Sequence, residues 1–102
     1  MSKFVAVAKK SEIPENNALC VQTEGNDIAL FNVAGGIFAI DDACPHEGGP
    51  LSDGEVDGDV VECPWHASRF NIRTGKVLMD PAESDVTTYN VRVSGDTVEV
   101  EI

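Results

Sequence analysis

At 102 residues the chain has the length of one domain, and its net charge of −11, from 18 acidic against 7 basic side chains, excludes a phosphate backbone as a natural partner. Only the five residues 4–8 are apolar in a row near the start, too few for a signal-peptide core or a membrane span. An acidic chain without such segments is expected to be cytoplasmic and to meet basic protein surfaces.

Strand signals dominate, and no long 3.6-residue periodicity appears. Residues 4–8 read as a first strand. Ser11, Glu12, Ile13 and Pro14 allow no more than a turn of helix before Asn16 and Asn17. Residues 19–22, 28–33 and 36–40 read as strands, the last two joined in a tight hairpin at Ala34-Gly35. Asp57-Gly58, inside the run from Glu55 to Val60, is a hairpin signal that leads Val60, Val61 and Glu62 directly into Cys63. A further short hairpin is expected from Phe70, Asn71 and Ile72 through Arg73-Thr74-Gly75 to Lys76, Val77 and Leu78. Near the end, Tyr89, Val91 and Val93 alternate, Ser94-Gly95-Asp96 turns, and Val98, Val100 and Ile102 alternate back. Short strands with glycine-rich turns predict an all-β antiparallel sandwich or barrel, without repeats, linkers or low-complexity segments.

Both histidines and two of the three cysteines fall into one arrangement: Cys44-Pro45-His46, sixteen intervening residues, then Cys63-Pro64-Trp65-His66. Two thiolates and two imidazoles delivered in pairs from two short loops can hold a small metal centre. A structural Cys₂His₂ zinc site uses the same donors, but zinc-finger spacing pairs Cys with Cys and His with His, whereas here they interleave. A reading with no metal would leave both histidines beside cysteines on Gly/Pro-rich loops by accident. Gly48 and Gly49 can take positive φ and present N–H groups inward, or simply make a turn. Leu51 and Trp65 are candidate apolar covers or ordinary core. Cys20, the cysteine left over, is expected to pack as a small buried hydrophobe on a strand, and an unpaired thiol suits a reducing cytoplasm.

With their surroundings, Cys44-Pro45-His46-Glu47-Gly48-Gly49-Pro50-Leu51 and Cys63-Pro64-Trp65-His66-Ala67-Ser68-Arg69-Phe70, these loops resemble the Rieske iron–sulfur family. The resemblance implies a single Rieske domain over residues 1–102. A β base of about 1–40 and 83–102 would carry an inserted cluster-binding subdomain of about 41–82. It implies a [2Fe-2S] cluster with Cys44 and Cys63 on one iron and His46 and His66 on the other, at a potential above that of an all-cysteine ferredoxin. Pro81-Ala82 would shield the cluster, and Ser68 matches a serine that bonds a bridging sulfide. High-potential members carry two further cysteines, where this chain has Gly49 and Trp65, and a tyrosine where it has Phe70. Those departures imply a low-potential, soluble ferredoxin.

Beyond the four ligands the sequence offers no evident base, nucleophile or open metal position, so the chain is expected to transfer electrons rather than to be an enzyme itself. The family implies transfer from a flavin-dependent reductase to the terminal oxygenase of an aromatic-ring dioxygenase. Its alternative is the small subunit of an assimilatory nitrite reductase or another Rieske redox subunit. Asp41, Asp42, Glu47, Asp53, Glu55, Asp57 and Asp59 crowd the sequence around the ligand loops and would steer a basic partner toward them.

Overall fold

The computed structural model describes residues 3–44, 48–65, 68–79 and 84–102. Among the described residues eleven strands run in chain order, separated by turns and two single 3₁₀ turns: β1 (Phe4–Lys9), β2 (Ala18–Thr23), β3 (Asn26–Val33), β4 (Gly36–Asp41), β5 (Glu55–Asp57), β6 (Val60–Glu62), β7 (Arg69–Asn71), β8 (Val77–Met79), β9 (Thr88–Tyr89), β10 (Val91–Ser94) and β11 (Thr97–Glu101). They make three sheets, ordered β1-β11-β10, β2-β3-β4-β9 and β5-β6-β7-β8, and all pairings between named strands are antiparallel.

Turn chemistry sets the hairpins where the sequence places them. Ala34 and Gly35 both have positive φ between Val33 and Gly36, which pair directly, as in a type I′ turn. In the β5–β6 hairpin the turn pair is Gly58-Asp59, one residue beyond the expected Asp57-Gly58, because Asp57 pairs with Val60 and Gly58 takes the positive φ. The β7–β8 turn is built by Asn71, whose Oδ1 accepts the N–H groups of Arg73 (2.8 Å) and Thr74 (3.1 Å). It closes on Gly75, at φ +77°, where an added Cβ would lie 2.2 Å from the Val86 carbonyl oxygen. The helical signal near Ser11 yields only a 3₁₀ turn, Lys10–Glu12, held by the Asp96 carboxylate through the Ser11 N–H (2.9 Å) and hydroxyl (2.8 Å).

The central sheet is covered on both faces, so alternation vanishes in β3: Ile28, Ala29, Leu30, Phe31, Asn32 and Val33 are all buried. Ile28, Leu30, Ile37 and Ala39 face Val98, Val100 and Ile13, packing toward β11. Ala29, Phe31, Val33 and Ile40 face Cys44, Leu51, Val61, Cys63, Phe70 and Ile72, packing toward β6 and β7. Arg73 adds a clamp between the central sheet and the β5–β6 turn, its guanidinium lying 4.6 Å from the centre of the Phe38 ring and 2.9 Å from Asp59 Oδ1.

One predicted strand divides. Tyr89 and Thr88 pair with Ala39 and Ile40 of the central sheet, whereas Val91, Arg92, Val93 and Ser94 pair with β11, so the alternating run breaks at Asn90. The Tyr89 hydroxyl donates to Asp41 at the end of β4 and fixes that break. Burial, the hydrogen bond to Asp41 and its negative charge push the Tyr89 phenol from its ordinary value of 10 up to about 12. A raised phenol favours the neutral folded form. Its stabilisation is therefore complete below pH 10 and is lost as the pH climbs from 10 toward 12. Since Tyr89 is the single tyrosine in the chain, ultraviolet titration should show one phenolate transition displaced from 10 toward 12. Tyr89→Phe should abolish it and lower stability at neutral pH by about 1 kcal/mol. A transition near 10 would mean that the Asp41 bond does not form.

Candidate metal centre

Two loops in this fold end in the same way. Beyond β4, Ala43 bridges Pro50 and the Cys44 N–H donates to the Gly49 carbonyl at 2.9 Å. Beyond β6, Glu62 pairs with Arg69 and the Cys63 N–H donates to the Ser68 carbonyl at 2.7 Å. Each cysteine thus closes its loop onto the fifth residue after it, leaving four residues between, with His46 second in the first loop and His66 third in the second. Gly48 tightens the first loop, donating to the Cys44 carbonyl at 2.7 Å from a backbone with φ +78°.

Cys44 and Cys63 are 2% and 1% exposed and belong to one core with Leu51, Val61 and Phe70. Gly49 is where the two loops meet. Its carbonyl closes the Cys44 loop, and a Cβ built on it would lie 2.8 Å from Cys63 Sγ and 3.0 Å from Trp65 Cγ and Cδ2. Gly49 does not take positive φ, unlike Gly48. What it supplies is the missing side chain that lets the second loop approach.

His46, His66, Pro45, Glu47, Ala67 and the Pro81-Ala82 segment lie outside the described residues. Of the expected covers, Leu51 is fully buried core, whereas Trp65 is 60% exposed. Ser68 is fully buried, following the second loop. Cys20 corrects an expectation: it stands on β2, but β2 is an edge strand and the residue is exposed. Its Sγ lies 3.4 Å from Asp42 Oδ2 as a donor. The residue as a whole is exposed but its sulfur is partly covered at the Asp42 contact, and that desolvation first, then the Asp42 charge and hydrogen bond, push the Cys20 thiol up to about 11, so it is held protonated.

The acidic residues around the loops separate into two groups. Asp42 is buried and turned inward, Asp41 is engaged by Tyr89, and Asp59 is paired with Arg73. Asp53, Glu55 and Asp57 are exposed, alternating along β5 and the turn before it about half-buried Val56. Sequence proximity did not separate these groups, and the inward role of Asp42 carries no signal beyond its place after a buried strand.

Two buried thiols at the ends of matched loops suit a metal centre, because a thiolate left alone in an apolar core would be costly and a bound metal removes that cost. Residues 3–90 match the family profile of the Rieske [2Fe-2S] domain. The chain belongs to the Rieske [2Fe-2S] family. The family's cofactor is a Rieske-type [2Fe-2S] cluster, and the two buried thiols of Cys44 and Cys63 are donors of the kind it takes. Among its relatives, the ferredoxin component of the naphthalene 1,2-dioxygenase system of Pseudomonas aeruginosa is 37% identical over 100 residues, spanning 98% of this chain and 96% of its own. The 3-phenylpropionate/cinnamic acid dioxygenase ferredoxin subunit of Shigella boydii is 42% identical over 93 residues, 90% of this chain and 87% of its own. A chain from the solved complex of reduced oxygenase and oxidised ferredoxin in carbazole 1,9a-dioxygenase superposes with a TM-score of 0.89 at 31% identity, covering 95% of this chain and 91% of that one. No helix among the described residues of this Rieske protein is long and apolar enough to cross a membrane.

The loop contact at Gly49 is open to a direct test. Gly49→Ala forces Cβ against Cys63 Sγ and the Trp65 ring and should cost about 1–3 kcal/mol, with iron and sulfide per protein falling on purification. Gly48→Ala, in open space but at positive φ, should cost about 1–2 kcal/mol and leave iron content near the parent value. Equal iron loss in both variants would show that backbone conformation, not the approach of Cys63, governs the site.

Proposed function

We propose that this protein is a soluble, cytoplasmic Rieske ferredoxin, not itself an enzyme, that carries single electrons from a flavin-dependent reductase to the terminal oxygenase of an aromatic-ring dioxygenase system. The observation that carries this reading is the pair of buried cysteines at the closures of two matched loops, in a chain spanning nearly the whole length of ferredoxin components of dioxygenase systems. Cys44 and Cys63 would hold one iron and His46 and His66 the other. Bound there, the [2Fe-2S] group supplies one reversible electron at a potential above that of an all-cysteine ferredoxin.

The residues around the site set its character. Phe70, fully buried in the core with both cysteines, has no hydroxyl to donate to a ligand sulfur. Hydrogen bonds to sulfur stabilise the more negative reduced state, so this site should lie near the low end of the Rieske range, roughly −150 mV. The separate sheet of β5 to β8, with its own contribution to the core, supports a cluster-binding part of about 41–82 on a base of about 1–40 and 83–102 within one domain. Exposed Trp65, beside Cys63, offers apolar area to a partner. Asp53, Glu55 and Asp57, exposed on β5 and the turn before it, add a negative field.

Reconstitution tests the function. With NAD(P)H, a flavin-dependent reductase and a ring-hydroxylating oxygenase of the naphthalene-dioxygenase type, substrate oxidation should require this protein and vanish without it. Raising salt from about 0.01 to 0.15 M shortens the Debye length from about 30 to about 8 Å and should slow its reduction by the reductase several-fold at sub-saturating concentration. Failure to accept electrons from any such reductase, or reduction only alongside a nitrite reductase large subunit, would overturn the proposal in favour of the alternative Rieske subunit role.

A further inference from the structure

Asp42 is 8% exposed, two residues before Cys44, and the main chain and carboxylate are both fully engaged. Its N–H donates to the Asp27 carbonyl of β3 at 3.0 Å, and its own carbonyl accepts the Leu51 N–H at 2.7 Å. Oδ1 accepts the Ser52 N–H at 2.7 Å, and Oδ2 accepts the Cys20 thiol of β2 at 3.4 Å. Leu51 and Ser52 begin the 3₁₀ turn Leu51–Asp53 that follows the first ligand loop. The residue at the entrance to that loop therefore grips the residues at its exit, and anchors both to the central sheet.

The grip uses a charge where a neutral group would suffice for shape. None of the ion pairs among the described residues reaches Asp42, so its negative charge is compensated only by N–H and S–H donors. A buried, unpaired charge is weakly screened. Two residues of chain place the Asp42 Cα within about 7 Å of the Cys44 Cα. We propose that Asp42 is a positioning residue with two separable effects: its hydrogen bonds hold the first ligand loop closed on Cys44, and its buried charge disfavours adding an electron at the site. The proposal rests on the [2Fe-2S] reading above.

Potentials and cluster retention, measured on the purified holoprotein without partners, separate these effects. Asp42→Asn keeps an acceptor for the Ser52 N–H and removes the charge, so the cluster should remain while the reduction potential moves positive. Asp57→Asn removes an equal but exposed charge and should move it less. Asp42→Ala removes the grip as well, and its cluster should bleach several-fold faster than that of the parent protein. If Asp42→Asn does not fold, Cys20→Lys at the exposed edge position beside the carboxylate should raise the potential more than Gln22→Lys, two residues along the same strand. A potential unchanged in Asp42→Asn, or equal shifts in Cys20→Lys and Gln22→Lys, would overturn the charge effect; unchanged bleaching in Asp42→Ala would overturn the grip. A parent protein that binds no iron–sulfur cluster would overturn the underlying [2Fe-2S] reading together with the proposal.

Discussion

Everything in this molecule depends on burying two cysteine side chains in one apolar core at the ends of two loops. Thiolates are costly to bury in apolar surroundings unless something compensates their charge. A metal that draws the proton off the sulfur reverses that balance. The fold meets the geometric part of the requirement with backbone: each cysteine N–H is tied to the carbonyl five residues on, and Gly49 has no side chain to hold the loops apart. The remaining architecture, a central sheet covered on both faces, supplies the apolar floor of Phe31, Leu51, Val61 and Phe70 beneath them.

Charge is arranged with the same economy of position. The chain is strongly acidic, yet the carboxylates next to the loops do different things according to which way the strand presents them. Asp41 ends β4 and takes the Tyr89 hydroxyl, Asp42 points the other way and pins the turn at Leu51, and Asp59 meets Arg73. The alternating positions Asp53, Glu55 and Asp57 remain exposed. The exposed carboxylates act on encounter rate, and the internal carboxylate of Asp42 is the one proposed to act on the electron.

Most strands were legible because their turns are: Ala34-Gly35, the Asp-Gly pair near residue 58 and Ser94-Gly95-Asp96 each require the backbone that glycine supplies most cheaply. Apolar alternation was less faithful. In β3 it disappears because both faces are covered, and at Asn90 an apparently continuous strand passes from one sheet to another, a choice made by partner strands rather than local pattern. Cys20 was misplaced for a similar reason, since its strand is apolar enough for a core but forms the edge of its sheet. The ligand pattern was legible as a pattern, and its two cysteines converge in one core; His46 and His66 lie outside the described residues. The dividing of the acidic residues had no sequence signal, because it depends on hydroxyl and amide donors brought from distant elements.

Pulsed electron paramagnetic resonance on the reduced protein, read for nitrogen nuclei coupled to the iron, bears most directly on the centre itself. Cys44, His46, Cys63 and His66 around a [2Fe-2S] cluster require two strongly coupled histidine nitrogens in the parent protein, and substitution of either histidine, if a cluster survives, should leave at most one. A colourless protein carrying stoichiometric zinc, or an iron–sulfur signal with no histidine nitrogen coupling, would contradict that ligand set.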